Sequence, residues 1–255
     1  MKTKIYIILF SLITLAVFIL PYVLIKLPPV SATNAYSTYW LPASVSTYAP
    51  KIDAMFDAIL WLTMVVFVLV EACFVWFLVK YSYKKDGKAK YYHGNNKLEI
   101  IWTTIPAVIL IALALWSNTL WSEIKYTKNF PKDAHQIRIS PRQFQWDITY
   151  PGPDGKFDTK DDINTVNQMH LALNEPVQIV LHSQDVIHSF FVPEFRIKQD
   201  AVPGMPTSVY IIPTKAGNYE IGCAELCGAQ HYRMKGYVNV VSRDSVDRWL
   251  LTQAQ

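Results

Sequence analysis

Cys223-Ala224-Glu225-Leu226-Cys227-Gly228-Ala229-Gln230-His231-Tyr232-Arg233-Met234 sets two thiols, an imidazole and a thioether within twelve residues. This is a soft donor set, and softness selects copper, zinc or iron–sulfur over magnesium or calcium. Structural zinc would usually show a second short-spaced pair of ligands, and a thioether is not a zinc ligand. A mononuclear blue-copper site needs one Cys, two His and a weak axial Met. The second histidine is found upstream in Asp185-Val186-Ile187-His188-Ser189-Phe190, where His188 is the candidate. The surplus cysteine adds a possibility: two thiolates can bridge two copper ions, each completed by one histidine, with Met234 and a backbone carbonyl as weak outer ligands. The blander readings are a Cys223–Cys227 disulfide in an oxidising compartment and Met234 as core filling. Taken together with His188 and His231, ligation is favoured. His182, six residues before His188 and so on the same face of an extended strand, is a candidate to support that ligand from behind.

Around this loop the sequence alternates in short runs rich in Val, Ile, Tyr and Phe (137–139, 144–150, 177–182, 208–212, 218–223, 235–241), broken by Pro and Gly. Such spacing predicts an all-β sandwich, and a soft-ligand loop at its end suggests a cupredoxin-type site. The turn-rich stretch 151–163 carries Asp154, Asp158, Asp161 and Asp162. It reads as a solvated loop, and its spacing does not fit the acidic calcium-loop pattern.

Working outward to the N-terminal half, the composition changes. Of the 255 residues 51% are hydrophobic and only 17% charged, where an ordinary soluble chain would carry about a quarter. Three apolar runs account for the difference: residues 5–25, 58–79 and 100–116. Each approaches the roughly 20 residues that cross a bilayer, and in lipid such runs must be helical to satisfy their own backbone. Between the second and third lie Lys80, Lys84, Lys85, Lys88, Lys90 and Lys97. A short basic loop belongs in the cytoplasm, which puts everything after Trp121 outside. The net charge of +4 is thus a topogenic signal, and nothing points to nucleic acid. The first run, flanked by Lys2 and Lys4 and followed by Val30, Ser31 and Ala32, reads either as a signal peptide or as a first transmembrane helix. Cys73 lies in the second apolar run as a small buried hydrophobe.

Cys223-x-Glu225-x-Cys227-Gly228-x-x-His231-x-x-Met234, with Asp185-Val186-x-His188-Ser189-Phe190, Lys198-x-Asp200-x-x-Pro203-Gly204 and Leu98-Glu99-Ile100-Ile101-Trp102-Thr103-Thr104-Ile105-Pro106, resembles subunit II of haem–copper cytochrome c oxidases over about residues 50–250. The resemblance implies a binuclear CuA centre, with Cys223 and Cys227 bridging two copper ions, His188 and His231 terminal, Met234 weak and the Glu225 carbonyl as the remaining ligand. It also implies a magnesium ion held by the Glu225 side chain at the contact with the catalytic subunit, a fitting role for a hard carboxylate oxygen. Glu99 matches a glutamate associated with proton uptake from the inner side. Lys198 and Asp200 match a pair lying toward the haem region of subunit I. At Arg142-Gln143-Phe144-Gln145-Trp146-Asp147 the family usually shows Gln-Trp-x-Trp, whose first tryptophan takes electrons from cytochrome c. Here Phe144 stands in its place, so the receiving aromatic is Phe144 or Trp146, with Asp147 and the 154–162 loop available to steer a basic donor.

The fold expected is therefore a membrane-anchored all-β protein. Residues 1–32 would form the signal peptide or first helix, 50–122 a transmembrane helical hairpin with the basic loop 80–97, and 131–255 an extracytoplasmic cupredoxin-like CuA domain. The function implied is subunit II of a proton-pumping oxidase of the bacterial cell membrane. It would accept electrons from cytochrome c, or another c-type cytochrome, and pass them to haem in subunit I, where CuB lies and oxygen is reduced to water. Subunit III is a further expected partner. Without Cys-x-x-Cys-His the chain carries no covalent haem, so its donor is separate. Three rivals remain in view. A copper-delivery protein would not need the 99–106 segment, and a quinol-oxidising relative would lack the copper ligands. A nitric oxide reductase subunit would differ only in its partner.

Overall fold

The computed structural model describes Leu12 and residues 41–83, 85–88, 91–126, 128 and 131–254. The first apolar run, and with it the choice between signal peptide and helix for 1–32, lies outside the described residues. Two compact units divide the chain: Met1–Leu41 with Ala54–Trp116, and Pro42–Asp53 with Ser117–Gln255.

The first unit is built on two long helices, α1 (Ala49–Lys80) and α2 (Asn96–Lys125). Both are apolar on every face, the pattern of a span in lipid rather than of a helix on a soluble core. Leu69 on α1 and Leu110 on α2 are more than half exposed. The helices begin where a side chain can satisfy free N–H groups. Asn95 Oδ1 accepts from Lys97 N at 3.1 Å and Leu98 N at 3.3 Å, and Ser46 Oγ accepts from Ala49 N at 3.2 Å. Pro106 is accommodated inside α2. Each helix outruns its apolar run, α1 at its start and α2 at its end. Glu71 sits inside α1, about 13 Å from the Lys80 end at 1.5 Å per residue.

The second unit is a sandwich of ten strands: β1 (His135–Arg142), β2 (Gln145–Tyr150), β3 (Ile163–Val166), β4 (Gln168–Ala172), β5 (Val177–Leu181), β6 (His188–Val192), β7 (Ile197–Ala201), β8 (Thr207–Ile211), β9 (Gly217–Cys223) and β10 (Lys235–Val241). One sheet runs β3-β2-β1-β5-β8 and the other β4-β10-β9-β6-β7. Most pairs are antiparallel, but β1 with β5 and β10 with β4 are parallel. Alternation does its work plainly in β5, where Val177, Ile179 and Leu181 are buried. Between the sheets lie Ile139, Trp146, Ile148, Met169, Leu171, Phe190, Phe195 and Ile221, each at most 1% exposed. A closing helix, α3 (Arg243–Gln253), caps one end, its Trp249 stacked on His170 at 3.7 Å between ring centroids.

Pro42–Asp53, which leads into α1 and includes its first turn, also belongs to this unit, so its boundary differs from the one expected at residue 131. Val45 is 1% exposed and joins the core. Val45 N donates to Glu194 O, Thr47 N to Ile212 O, and Thr214 N to Val45 O. Ser46 Oγ donates to Phe195 O at 2.9 Å. Arg196 clamps the end of the strap, its Nε 2.7 Å and Nη2 3.1 Å from the Asp53 carboxylate. The strap looks like loop in the sequence because its pairing partners lie some 150 residues away.

The acidic loop 151–163 is knit together by its own carboxylates. Asp158 meets Arg138 through two bonds of 2.9 and 2.8 Å. Asp162 accepts from Asp158 N at 2.8 Å and Asp154 from Lys156 N at 2.9 Å.

Candidate metal centre

One sheet, β4-β10-β9-β6-β7, brings the distant halves of the ligand set to one end of the sandwich. β6 opens with His188 and β9 closes with Cys223, and the β6–β9 register pairs Phe190 with Cys223. Beyond Cys223 the chain leaves the sheet, with Ala224 N held by Ser189 O at 3.0 Å. It returns through a 3-10 turn at His231–Arg233 and re-enters the sheet at β10 directly after Met234.

Within this loop the side chains converge. Cys223 Sγ lies 3.8 Å from Cys227 Sγ and 3.9 Å from His188 Nδ1. Cys227 Sγ lies 3.6 Å from His231 Nδ1 and 3.8 Å from Met234 Sδ. The Glu225 carbonyl is 3.3 Å from Cys223 Sγ, while the Glu225 side chain points to solvent. Ligand atoms of His188, Cys223 and Cys227 all fall within 4.8 Å of one another. His188, Cys227 and Met234 are buried and Cys223 is half-buried, and all three cysteines of the chain are free. Burial alone would keep both thiols protonated. For Cys223 it is outweighed by hydrogen bonds from His188 and from the Ser189 and Glu225 backbone, which bring the thiol down to about 6. For Cys227 burial and the neighbouring Cys223 charge act together and push it up to about 12. The two thiols are thus driven in opposite directions, Cys223 toward the thiolate and Cys227 away from it. A soft cation would displace the Cys227 proton and be met by sulfur, imidazole nitrogen and thioether, a donor set that fits copper.

The residues behind the ligands matter as much. His188 Nε2 lies 2.8 Å from Asp185 Oδ1, so Nδ1 is the nitrogen left facing the sulfurs. A carboxylate behind a histidine fixes its orientation and raises its basicity. Burial would lower the His188 pKa, but contact with Cys223 and Asp185 raises it overall. His182 does not play this part, being exposed with its backbone N on Ile139 O. Sequence reasoning quoted Asp185 but missed its role, although an acid three residues before a candidate ligand is the available signal.

Of the two aromatics offered as the electron-receiving surface, Trp146 is corrected. It is 0% exposed, with its ring edge-on to His188 at 6.4 Å and to Phe190 at 5.9 Å. A residue with no surface cannot meet a docking protein. Phe144 is half-exposed and lies beside the loop. A Cβ added to Gly228, whose φ is +135°, would come within 3.1 Å of the Phe144 ring. That close approach and the left-handed φ together require glycine. Glu99 stands exposed in the first turn of α2. Lys198 and Asp200 pair at 3.0 Å, both about half exposed, where solvent leaves such a pair worth little.

Comparison with known proteins bears on these elements one by one. The family model for the transmembrane domain of cytochrome c oxidase subunit II matches residues 33–120, and the model for its periplasmic domain matches residues 145–241. The alternative cytochrome c oxidase subunit 2 of Bradyrhizobium diazoefficiens is 32% identical over 238 residues, 84% of each chain. Subunit 2 from Thermostichus vulcanus is 28% identical, over 82% of this chain and 77% of that one. Among solved structures, the periplasmic domain of subunit II of cytochrome oxidase from Bradyrhizobium japonicum is 29% identical, with a TM-score of 0.43 over 48% of this chain and 95% of that one. By the two family matches the apolar helices are a membrane anchor and the sandwich, with its soft-ligand loop, is a domain held outside. The chain belongs to the cytochrome c oxidase subunit II family.

Proposed function

We propose that this chain is the electron-receiving subunit of a proton-pumping oxidase, accepting electrons from cytochrome c at a binuclear CuA centre and delivering them to haem in subunit I, where oxygen is reduced to water. The observation that carries this reading is the convergence of Cys223, Cys227, His188, His231 and Met234 on one volume at the end of the sandwich. Copper bound there supplies one-electron exchange. The chain supplies the rest: two sulfurs, two Nδ1 atoms, the thioether and the Glu225 carbonyl as ligands, and a largely buried setting that limits water. Asp185 keeps His188 turned toward the site. Phe144, packed against Gly228, the residue that follows Cys227, is the side chain that brings a donor's orbitals near the ligands.

By the same reading the exposed Glu225 carboxylate holds magnesium with subunit I, and Glu99 takes up protons on the cytoplasmic side of a bacterial cell membrane. Subunit III completes the assembly, and the donor is a separate c-type cytochrome. The domains follow the order anchor then CuA domain, with the 42–53 strap added to the latter.

Two measurements on the purified complex test the proposal. Metal analysis and EPR should find two copper ions per chain sharing one unpaired electron. A single type 1 copper, zinc or a Cys223–Cys227 disulfide would overturn it. Phe144→Ala should slow electron transfer from cytochrome c at least several-fold without loss of copper, and an unchanged rate would remove Phe144 from the route.

A further inference from the structure

The turn between β1 and β2 belongs to the sheet opposite the metal cluster, yet it reaches both ligand-bearing loops. The side-chain amide of Gln143 donates from Nε2 to the carbonyl of Cys227. Its backbone N donates to Asp185 Oδ2 at 2.7 Å. The other oxygen of that carboxylate holds His188 Nε2 at 2.8 Å and accepts from Val186 N at 2.6 Å. One residue thus holds the loop of a sulfur ligand through its side chain and the loop of a nitrogen ligand through its backbone. Gly228 closes the arrangement: a Cβ there would stand 2.6 Å from Gln143 Nε2, so the glycine lets the amide in.

The Cys227 loop needs such a tie. Between Ala224 N, bound to Ser189 O, and His231 N, bound to Gly228 O, its backbone runs free of the sheets. Among the described residues, Gln143 is the only side chain outside the ligand set that hydrogen-bonds this span. A loop held by its ends alone samples many conformers, each a loss of order that metal binding would have to restore. Ligands held in place before the metal arrives bind more tightly and release more slowly.

We propose that Gln143 is a positioning residue that clamps the Cys227 loop and the Asp185–His188 loop to a single turn, so that the two sulfurs and His188 are already gathered before metal binds. The same clamp keeps Phe144, the next residue, against Gly228. An amide suits the task because it donates to a carbonyl, which a carboxylate of equal size cannot do. Only the metal-based readouts below rest on the copper reading.

The test uses the full chain in detergent and the assembled complex, with Gln143→Glu as the same-sized variant without a donor and Gln143→Ala as the truncation. In the metal-free chain, labelling of Cys227 by a thiol reagent should accelerate about tenfold in both variants, with Cys223 changing less and the unfolding midpoint unmoved. In the copper-loaded complex, release of copper to a competing chelator should accelerate about 10–100-fold, the range for residues that hold ligands from behind, with a shift in the visible spectrum. Labelling and release rates equal to the parent would overturn the clamp. So would equal acceleration at both thiols with a lowered midpoint, because that is loss of fold. If the parent chain takes up no copper, the copper reading fails, while the labelling rates still decide the clamp.

Discussion

Asp185 shows how much of the candidate metal centre depends on a side chain outside the ligand set. Its carboxylate lies below the usual range: burial would raise it, but hydrogen bonds from His188 and from the Gln143 and Val186 backbone prevail. Its charge is the counterpart of the imidazole ring behind the sulfurs. Asp185→Ala is expected to free the His188 ring and weaken copper retention about 10–100-fold, with Asp185→Asn milder because an amide oxygen can still accept. Competition with a chelator measures both, and equal retention in all three proteins would remove Asp185 from the site. The ligands themselves were legible in the sequence, because Cys, His and Met in one short loop have few other reasons to gather. Their supports were not. Asp185 and Gln143 act through geometry that spacing does not encode, and Trp146 reads as a surface aromatic until the pleat turns it inward.

At the scale of elements, legibility followed length and periodicity. The two membrane helices were plain, because apolar runs of such length have one solution in lipid. The carboxylate of Glu71 within α1 was not part of that reading. In the sandwich β1, β2, β5, β8, β9 and β10 were visible through alternation. β3, β4, β6 and β7 were not; in β6 (His188-Ser189-Phe190-Phe191-Val192) and β7 (Ile197-Lys198-Gln199-Asp200-Ala201) apolar and polar residues do not alternate. The helix α3 escaped notice for the opposite reason, since its sequence is mostly polar and buries only Val246. It is anchored by Trp249 stacked on His170, and that stack makes stability depend on pH. Burial lowers the His170 pKa below its ordinary 6.5, so below that pH the unfolded chain binds the proton more readily than the folded one. The stabilisation is present above 6.5 and is lost as the pH falls. The thermal midpoint should accordingly drop between pH 7 and 5.5, and His170→Gln should flatten that slope. A slope unchanged by the substitution would assign the effect to other groups.

For the whole molecule, the instructive difference lies in the strap before α1. A boundary drawn from hydropathy would begin the soluble domain near residue 131 and cut away Val45, Ser46 and Asp53. Burying a valine side chain is worth about 1.5–3 kcal/mol, and removing Asp53 leaves Arg196, whose side chain is 9% exposed, without its counter-charge. A fragment starting at 131 should therefore be less stable than one that also carries 42–53 by roughly 3 kcal/mol or more. Denaturant midpoints of the two fragments decide the matter, and equal midpoints would show the strap to be dispensable.

The strap also sets a clock. Ser46 emerges 149 residues ahead of Phe195, the residue whose carbonyl it holds. At synthesis rates of about 5–20 residues per second the strap waits roughly 7–30 s for its site to exist. During that interval two helices must insert and the sandwich must reach the far side of the membrane. Closure of the strap is thus a late event of export, completed only after residues 194–214 have been made and have crossed.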